Sequence, residues 1–551
     1  MVTPSAARPA LYIRNAREAR RRASPSLTER NAALSGDSGP GGLATACLFK
    51  YYSGLKKVSY LPGLRCAFAP LSMCAAALPT SWWNPGLDWP WEWRWDTYKH
   101  YHSQTISCVP FIRGIPYVYT SSLEVAKQIL NVRPEVYKAP DSTGAILFLW
   151  GDNVVSADHD MYKRHRRVVG SAFSRAGYVL VAEETGRLYR EMVESEGWLQ
   201  ADEIAVDSIN HILSKFALGM ISRCGFGLPF PWSSPTESSD EMSFEEALTI
   251  VTEKAVVRLA APRWLYYLPI KQLQQVEKAY NTISNFMSTF IAAKQAELSS
   301  QTGGNDTRAN QDLLTRLVAA SQAEGKNGLS DRELFGNTFT FMFAGHETTA
   351  HTLSATLALL SVHQEEQDKA AAHIRKVLGD RQPTLEDVES GELDLVLACF
   401  EEAARMYPPG SIATRDTNQT ISLALPEEDG GGHAVIHPGV RLIVDYIGLH
   451  YNPRLFADPW RYDPSRWYGA READMTFFSI GPRACLGRKF AIVEALFLCL
   501  FLREWKVDPL FRQGEAVEKW KERFLHGGFV GLAFGLRDVP LRITRRGEAC
   551  A

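Results

Sequence analysis

Polar and apolar residues follow a helical pattern from Ser330 onward. Ser330 is a favourable N-cap and Glu333 stands three residues later, the pattern of a capping box. Residues 334–363 behind it are apolar on most sides as far as Ala344, with Asn337, Thr338 and Thr340 as exceptions. A helix apolar nearly all round is a buried one. Residues 364–377 continue as helix, and 394–406 predict another, stopped by Pro408-Pro409. Upstream, residues 117–131 read as a short strand and a helix, and 159–173 as a basic helix. Residues 204–218 and 244–261 read as amphipathic helices, and 273–298 as a long one. Short strands are expected within 414–425 and 434–445, around Gly430-Gly431-Gly432, and again in 524–543. The apolar run 490–502 predicts a buried helix. The pattern is mainly α with small β-sheets.

Other stretches have no period. Six tryptophans fall within 80–95, with Pro85 and Pro90 between them, and predict an irregular buried segment. Residues 66–78 are apolar but too short to span a bilayer, and Pro70 interrupts them. Residues 137–153 form a loop with a very apolar middle at 145–150; residues 301–311 read as a polar surface loop. Residues 1–45 are rich in Ser, Ala, Arg and Gly, with Arg17, Arg20, Arg21 and Arg22 clustered. They read as a disordered segment ahead of a folded unit spanning 46–551. An Arg-rich, acid-poor start also has the composition of an organelle transit peptide.

Composition narrows the function. The chain has 551 residues, 45% of them hydrophobic, which is ample for a large core. A net charge of −2 implies no bulk attraction to nucleic acid. The nine cysteines include no Cys-x-x-Cys pair, which argues against a disulfide framework and against a zinc or iron–sulfur site. A reducing compartment fits this usage.

Two places break local rules. Inside the long apolar helix stand Gly345, Glu347, Thr348 and Thr349, a glycine, a carboxylate and two hydroxyls where apolar residues are expected. The bland reading is a kink with threonine hydroxyls bonded back to their own carbonyls. The second place is the Gly/Pro-rich loop 477–491, which carries Cys485 just ahead of a helix, with Arg483 two residues before it. Backbone N–H groups and the helix dipole favour a thiolate at such a position. Gly481 and Gly487 let the backbone approach something flat. The alternative is a buried structural cysteine.

The motif Phe478-x-x-Gly481-x-Arg483-x-Cys485-x-Gly487 resembles the heme-binding loop of the cytochrome P450 superfamily. Three further motifs agree, in the family's order. Ala344-Gly345-His346-Glu347-Thr348-Thr349 resembles the oxygen-activation motif. Glu402-Ala403-Ala404-Arg405 resembles Glu-x-x-Arg, and Pro464-Ser465-Arg466-Trp467 resembles Pro-x-Arg-aromatic, with Trp where Phe is commoner. The resemblance covers roughly residues 60–546.

The resemblance implies a triangular helical prism around a buried heme b, with Cys485 as the axial ligand to iron. Phe478 and Gly487 would flank it, and Arg483, Arg166 and Arg415 would contact the cofactor, Arg166 through a Tyr162-x-x-x-Arg166 motif in which the family more often has Trp. Thr348 would hold dioxygen and a water, and Glu347 would link the site to proton supply. Glu402, Arg405 and Arg466 would form a structural triad. His450 reads as a structural histidine that could also reach the heme edge. Ile146, Phe148, Phe339, Phe343, Ile412 and Phe529 would line an apolar pocket, the tip 527–530 approaching the substrate. The implied reaction inserts one atom of O2 into a lipophilic small molecule, a terpenoid or other specialised metabolite among the candidates. Electrons would come from NADPH through a separate cytochrome P450 reductase. A heme-thiolate isomerase or dehydratase, and a non-catalytic heme-binding protein, are the alternatives. Eukaryotic members usually begin with a transmembrane anchor, and none is seen here. Attachment to the endoplasmic reticulum surface would then be peripheral, with cytosolic or mitochondrial placement as alternatives.

Overall fold

The computed structural model describes residues 40–131, 133–138, 150–233, 242–254, 257–258, 261–300 and 312–547. Thirteen strands occur among these residues. They are β1 (Gly63–Phe68), β2 (Thr105–Arg113), β3 (Tyr117–Thr120), β4 (Val136–Tyr137), β5 (Glu203–Val206), β6 (Ile412–Thr417), β7 (Ile421–Ala424), β8 (His433–Ile436), β9 (Arg441–Asp445), β10 (Trp505–Pro509), β11 (Gly528–Val530), β12 (Ala533–Gly535) and β13 (Leu541–Arg545). The largest sheet has the order β1-β2-β3-β9-β6-β4. Every residue of β3 and β9 is buried, as befits strands flanked on both sides. At its far edge β4 pairs antiparallel with β6, Val136 opposite Thr417 and Tyr137 opposite Asp416. That pairing carries the next residue, Lys138, to the central cavity.

The helices that shape the site are α1 (Pro40–Lys57), α2 (Leu123–Leu130), α3 (His159–Ala172), α4 (Arg175–Ser195), α5 (Ile209–Met220), α6 (Asp331–Val362), α7 (Asp394–Met406), α8 (Arg488–Glu494) and α9 (Phe497–Glu504). The 32-residue α6 runs through the protein and packs on α5, α7 and β10. Both halves of its capping box form: the Ser330 hydroxyl accepts from Glu333 N–H, and the Glu333 carboxylate accepts from Ser330 N–H. Five of its buried hydroxyls are satisfied locally. Thr338, Thr340, Thr352, Ser354 and Thr356 each donate to the carbonyl four residues earlier. Asn337 Oδ1 instead accepts from Val154 N–H at 2.8 Å, tying α6 to the strand-to-helix loop ahead of α3.

Several sequence expectations need correction. Residues 204–206 belong to β5, paired with β13, and the helix starts only at Ile209. Alternation decided the matter: a four-residue segment at a sheet edge outcompetes one extra helical turn. The run 490–502 is not one helix but α8 and α9, broken around Ala495-Leu496. Residues 40–45, read as part of the low-complexity start, lie in α1; the rest of that start is outside the described residues. Among the tryptophans, Trp89 and Trp91 are buried in short helical turns, but Trp82 is 78% exposed. The apolar middle of the loop at 145–149 is also outside the described residues.

Candidate active site

Cys485 leads the site. The loop before it turns through Thr476–Phe478 and Gly481–Arg483, with Ser479 at φ 65° and Gly481 at φ 72°. Cys485 N–H closes the turn on Phe478 O at 2.8 Å. Donors from outside pin the loop. Tyr162 Oη donates to Pro482 O at 2.7 Å, Arg166 Nη1 to Ala484 O at 2.7 Å, and Tyr446 Oη to Ser479 Oγ at 2.8 Å. Thus Tyr162, standing where the related motif more often has Trp, serves as a hydroxyl clamp on the cysteine loop.

The sulfur is open to a cavity of about 380 Å³ and is otherwise enclosed. Burial pushes the Cys485 thiol up from its ordinary range. The N–H groups of Gly487 and Arg488 and the charges of Arg166 and Arg488 pull it back only in part. Desolvation outweighs the helix start here, although the backbone N–H groups act in the direction that favours a thiolate. A bonded metal ion displaces the proton outright.

Helix α6 lines the same cavity, through Phe341, Ala344, Gly345, Thr348, Thr349 and Thr352. The helix continues without a break through Gly345. A Cβ there would sit 2.9 Å from Ile221 Cδ1, so the glycine admits the π-helical turn Ile221–Gly225 against α6. Thr348 reaches the cavity, but its Oγ1 donates to Ala344 O at 2.7 Å. Glu347 points elsewhere. Its carboxylate accepts from Leu532 N–H at 3.4 Å, at the tip of the β11–β12 hairpin. A Cβ on Gly531, which has φ +65°, would lie 2.6 Å from Glu347 Oε1. Burial pushes the Glu347 carboxyl up to about 8 against the pull of the Leu532 and Ala533 N–H groups.

One edge of the cavity is strongly positive. Lys138, Arg166 and Arg483 line it, and Arg415 lies buried just behind. Burial and the neighbouring guanidinium of Arg483 hold Arg415 down at about 10. Burial, then Arg415 and Arg483, push Lys138 well below the usual lysine range. Arg483 donates to Asp158 Oδ1 at 2.7 Å and stacks 3.7 Å over the Tyr162 ring, yet its Nη1 is buried with no partner.

Behind the cysteine loop, Glu402 and Arg405 form a fully buried bidentate pair at 2.8 Å and 2.8 Å. Arg466 Nε approaches Glu402 Oε1 at 3.3 Å, and Asp463 N–H donates to the same oxygen at 3.0 Å. The Trp467 indole N–H donates to Glu402 Oε2 at 2.9 Å. A buried ion pair is tolerable only when its lone pairs are filled in this way.

The structure thus brings Cys485, Phe478, Gly487, Arg483, Arg166 and Thr348 to one cavity, with Arg415 one layer back and Glu347 turned to the hairpin. His450 bonds Thr476 Oγ1 at 2.9 Å as a structural histidine. Of the expected pocket residues, Ile412 lines the cavity. Phe339 is buried against Trp150 at 4.5 Å, and Phe343 stacks on Phe339 at 6.3 Å rather than on the cavity. Phe529 lines a separate small cavity, and the hairpin tip is Gly531-Leu532 rather than 527–530. Ile146 and Phe148 lie outside the described residues. Lys138 and Asp158 were missed. No motif flags them, and only the β4–β6 pairing and the α3 N-cap bring them together.

A flat cofactor with one anionic edge fits this donor set. The sulfur faces open space, a Cβ on Gly487 would meet nothing closer than that sulfur at 3.9 Å, and Arg483 Nη1 is buried with no partner among the described residues. Among the described residues no group of three or more His, Cys, Asp or Glu could hold a metal ion.

Comparison with known proteins agrees. The cytochrome P450 family model matches residues 98–526, and the chain belongs to that family. It is 30% identical to cytochrome P450 monooxygenase 124 of Postia placenta, over 90% of this chain and 96% of that one. It is 26% identical to cytochrome P450 monooxygenase prx9 of Penicillium rubens, over 85% and 88%. It is also 27% identical to human cytochrome P450 4F12, over 72% and 76%. The crystal structure of the cytochrome P450DA heme domain superposes with a TM-score of 0.67 at 21% identity, covering 88% of this chain and 99% of that one, a likeness of fold. The protein is an oxidoreductase of the monooxygenase kind. Its cofactor is heme b, and it uses dioxygen and a redox partner.

Proposed function

We propose that Cys485 is the sole protein ligand to the heme iron and that the enzyme oxygenates a lipophilic small molecule. The observation that carries this is the sulfur's exposure to a cavity that Thr348 also lines and whose one edge is cationic. When bound, the heme supplies the dioxygen activation that inserts an oxygen atom into a C–H or C=C bond, a chemistry that a thiolate ligand favours. Arg166 and Arg483 hold the anionic edge, with Arg415 behind them. Gly487 leaves the sulfur's neighbourhood clear. Thr348 orients a proton donor once its hydroxyl leaves Ala344 O. Glu347 carries its proton at neutral pH and releases it toward the cavity after parting from Leu532 N–H. Apolar wall residues such as Phe341 and Ile412 exclude water and suit a terpenoid or another lipophilic specialised metabolite. Electrons come from NADPH through a separate reductase. The protein sits peripherally on the endoplasmic reticulum membrane; no helix among the described residues is long and apolar enough to cross it.

The carbon monoxide difference spectrum tests the ligand. Wild type should give the thiolate-type band and Cys485→Ala should lose it. A Cys485→Ala protein that keeps the band refutes the assignment. Screening lipophilic compounds for displacement of water from ferric heme then identifies the substrate class.

A further inference from the structure

We propose that Cys66 and Cys108 form a reversible disulfide when the protein meets hydrogen peroxide, a modification site apart from the central cavity. Cys66 lies on β1 and Cys108 on β2, at one edge of the largest sheet. In their parallel pairing Leu64 stands opposite Cys108. Cys66 comes two residues later, so its side chain lies on the same face, diagonal to Cys108. The two sulfurs are 3.4 Å apart. A disulfide holds its sulfurs at about 2.05 Å, so roughly 1.4 Å remains to be closed. Gly63 helps to set the spacing. It holds φ +142°, and a Cβ there would collide with the Ser107 carbonyl, so a larger residue would push the strands apart.

Both thiols are free and buried among Leu64, Trp89, Ile106 and Tyr119. Burial pushes the Cys108 thiol well up, and its contact with Cys66 adds to that. Cys108 therefore keeps its proton and donates it to Cys66, which leaves Cys66 as the sulfur that reacts first. The fold gives that sulfur a way out. β1 is an edge strand, and its register on β2 slips between Cys66 and Phe68. Regular pairing ends beside Cys66, so local opening of the edge admits a small neutral oxidant there. Cys66 Sγ attacks one peroxide oxygen. The O–O bond breaks, the other oxygen leaves as water with the thiol proton, and Cys66 becomes a sulfenic acid. Cys108 Sγ then attacks that sulfur. The S–O bond breaks, a second water leaves with the Cys108 proton, and the S–S bond forms. Two thiols have given up two electrons and one peroxide has become two waters. A monooxygenase is itself a source of peroxide whenever reduced dioxygen leaves before the substrate is oxygenated. The bridge ties the edge strand to its neighbour and closes a loop that holds Trp89 and Trp91. Trp91 packs on Phe534 of β12 at 5.2 Å, so the bridge also restrains the aromatic wall on which the β11–β12 hairpin rests.

Purified wild-type holoenzyme is treated with graded hydrogen peroxide, then denatured, alkylated and read by peptide mass spectrometry. A peptide pair linked through Cys66 and Cys108 should appear while the heme spectrum is still intact, and a thiol reductant should release it. The bridged protein should unfold about 2–3 °C above the reduced protein, the rise expected of one disulfide in a chain of this length. Cys108→Ser should stop at the sulfenic acid on Cys66, which dimedone traps, and Cys66→Ser should leave Cys108 without the label. Neither variant should show the thermal rise. A pair that is merely packed together would stay alkylated throughout. The wild-type measurement decides by itself should a variant fail to fold. Full alkylation of both cysteines at doses that already oxidise the exposed Met73 overturns the proposal. So does a link that forms only after the heme spectrum is lost, because the bridge would then belong to damaged protein. Dimedone on Cys108 in Cys66→Ser, with none on Cys66 in Cys108→Ser, overturns the order of attack.

Discussion

Thr348 and Glu347 are neighbours in sequence but occupy different surroundings. Thr348 lines the cavity with its hydroxyl turned back to Ala344 O, whereas the Glu347 carboxyl is enclosed by the hairpin tip. The proposed proton delivery therefore needs both side chains to leave these partners. Thr348→Ala removes the hydroxyl without adding bulk, so substrate binding should hold. NADPH oxidation should persist while product falls and hydrogen peroxide rises; an unchanged ratio of product to NADPH refutes the role. Glu347→Gln should slow the proton-dependent step and enlarge its solvent isotope effect. The Glu347 carboxyl also bears on stability. Its ordinary value is 4.5 and burial raises it to about 8 in the folded chain. Between those values the unfolded chain has lost a proton that the folded chain keeps, so stability falls as pH rises. Urea denaturation from pH 4.5 to pH 8 should show Glu347→Gln gaining on wild type as pH rises. A constant difference between the two would show that the carboxyl is not enclosed as described.

At the scale of elements, the junction between α7 and the turn Pro464–Trp467 explains an unusual residue. Where the related motif commonly has Phe, Trp467 adds a donor to the buried Glu402 carboxylate. Bonds to a buried charge are worth about 1.5–3 kcal/mol. Trp467→Phe leaves Arg405, Arg466 and Asp463 N–H on Glu402, so about 1–2 kcal/mol of destabilisation is expected in chemical denaturation. The thiolate-type spectrum should be retained, because the indole touches the triad and not the cavity. A neutral Trp467→Phe would mean that the bond contributes nothing net. The long helix α6 was legible in its pattern because its capping box and its apolar faces are local features. The break between α8 and α9 was not, because an unbroken apolar run carries no signal for where packing interrupts it.

At the scale of the molecule, the chain presents exposed apolar side chains near its N-terminal end: Leu43, Leu48, Phe49 and Tyr52 on α1, then Met73 and Trp82. These support the proposed peripheral contact with a bilayer. A chain starting at Pro40 should still incorporate heme and bind liposomes, and Leu48→Glu with Phe49→Glu should release it from them in flotation. Loss of heme incorporation on that truncation would show that residues 1–39 belong to the folded unit.

The sequence by itself determined the family, the cysteine loop and the helix that lines the same cavity, because each is encoded in residues a few positions apart; the buried triad was legible as two short motifs, and only the fold joined them. Tertiary structure alone decided which of those residues share a cavity. It turned Glu347 to a hairpin almost two hundred residues away, set Arg415 one layer back, moved Phe339, Phe343 and Phe529 off the cavity, and placed Lys138 and Asp158 on the cationic edge. Strand pairing and helix packing fix those positions, and such long-range contacts leave no short-range trace in the chain.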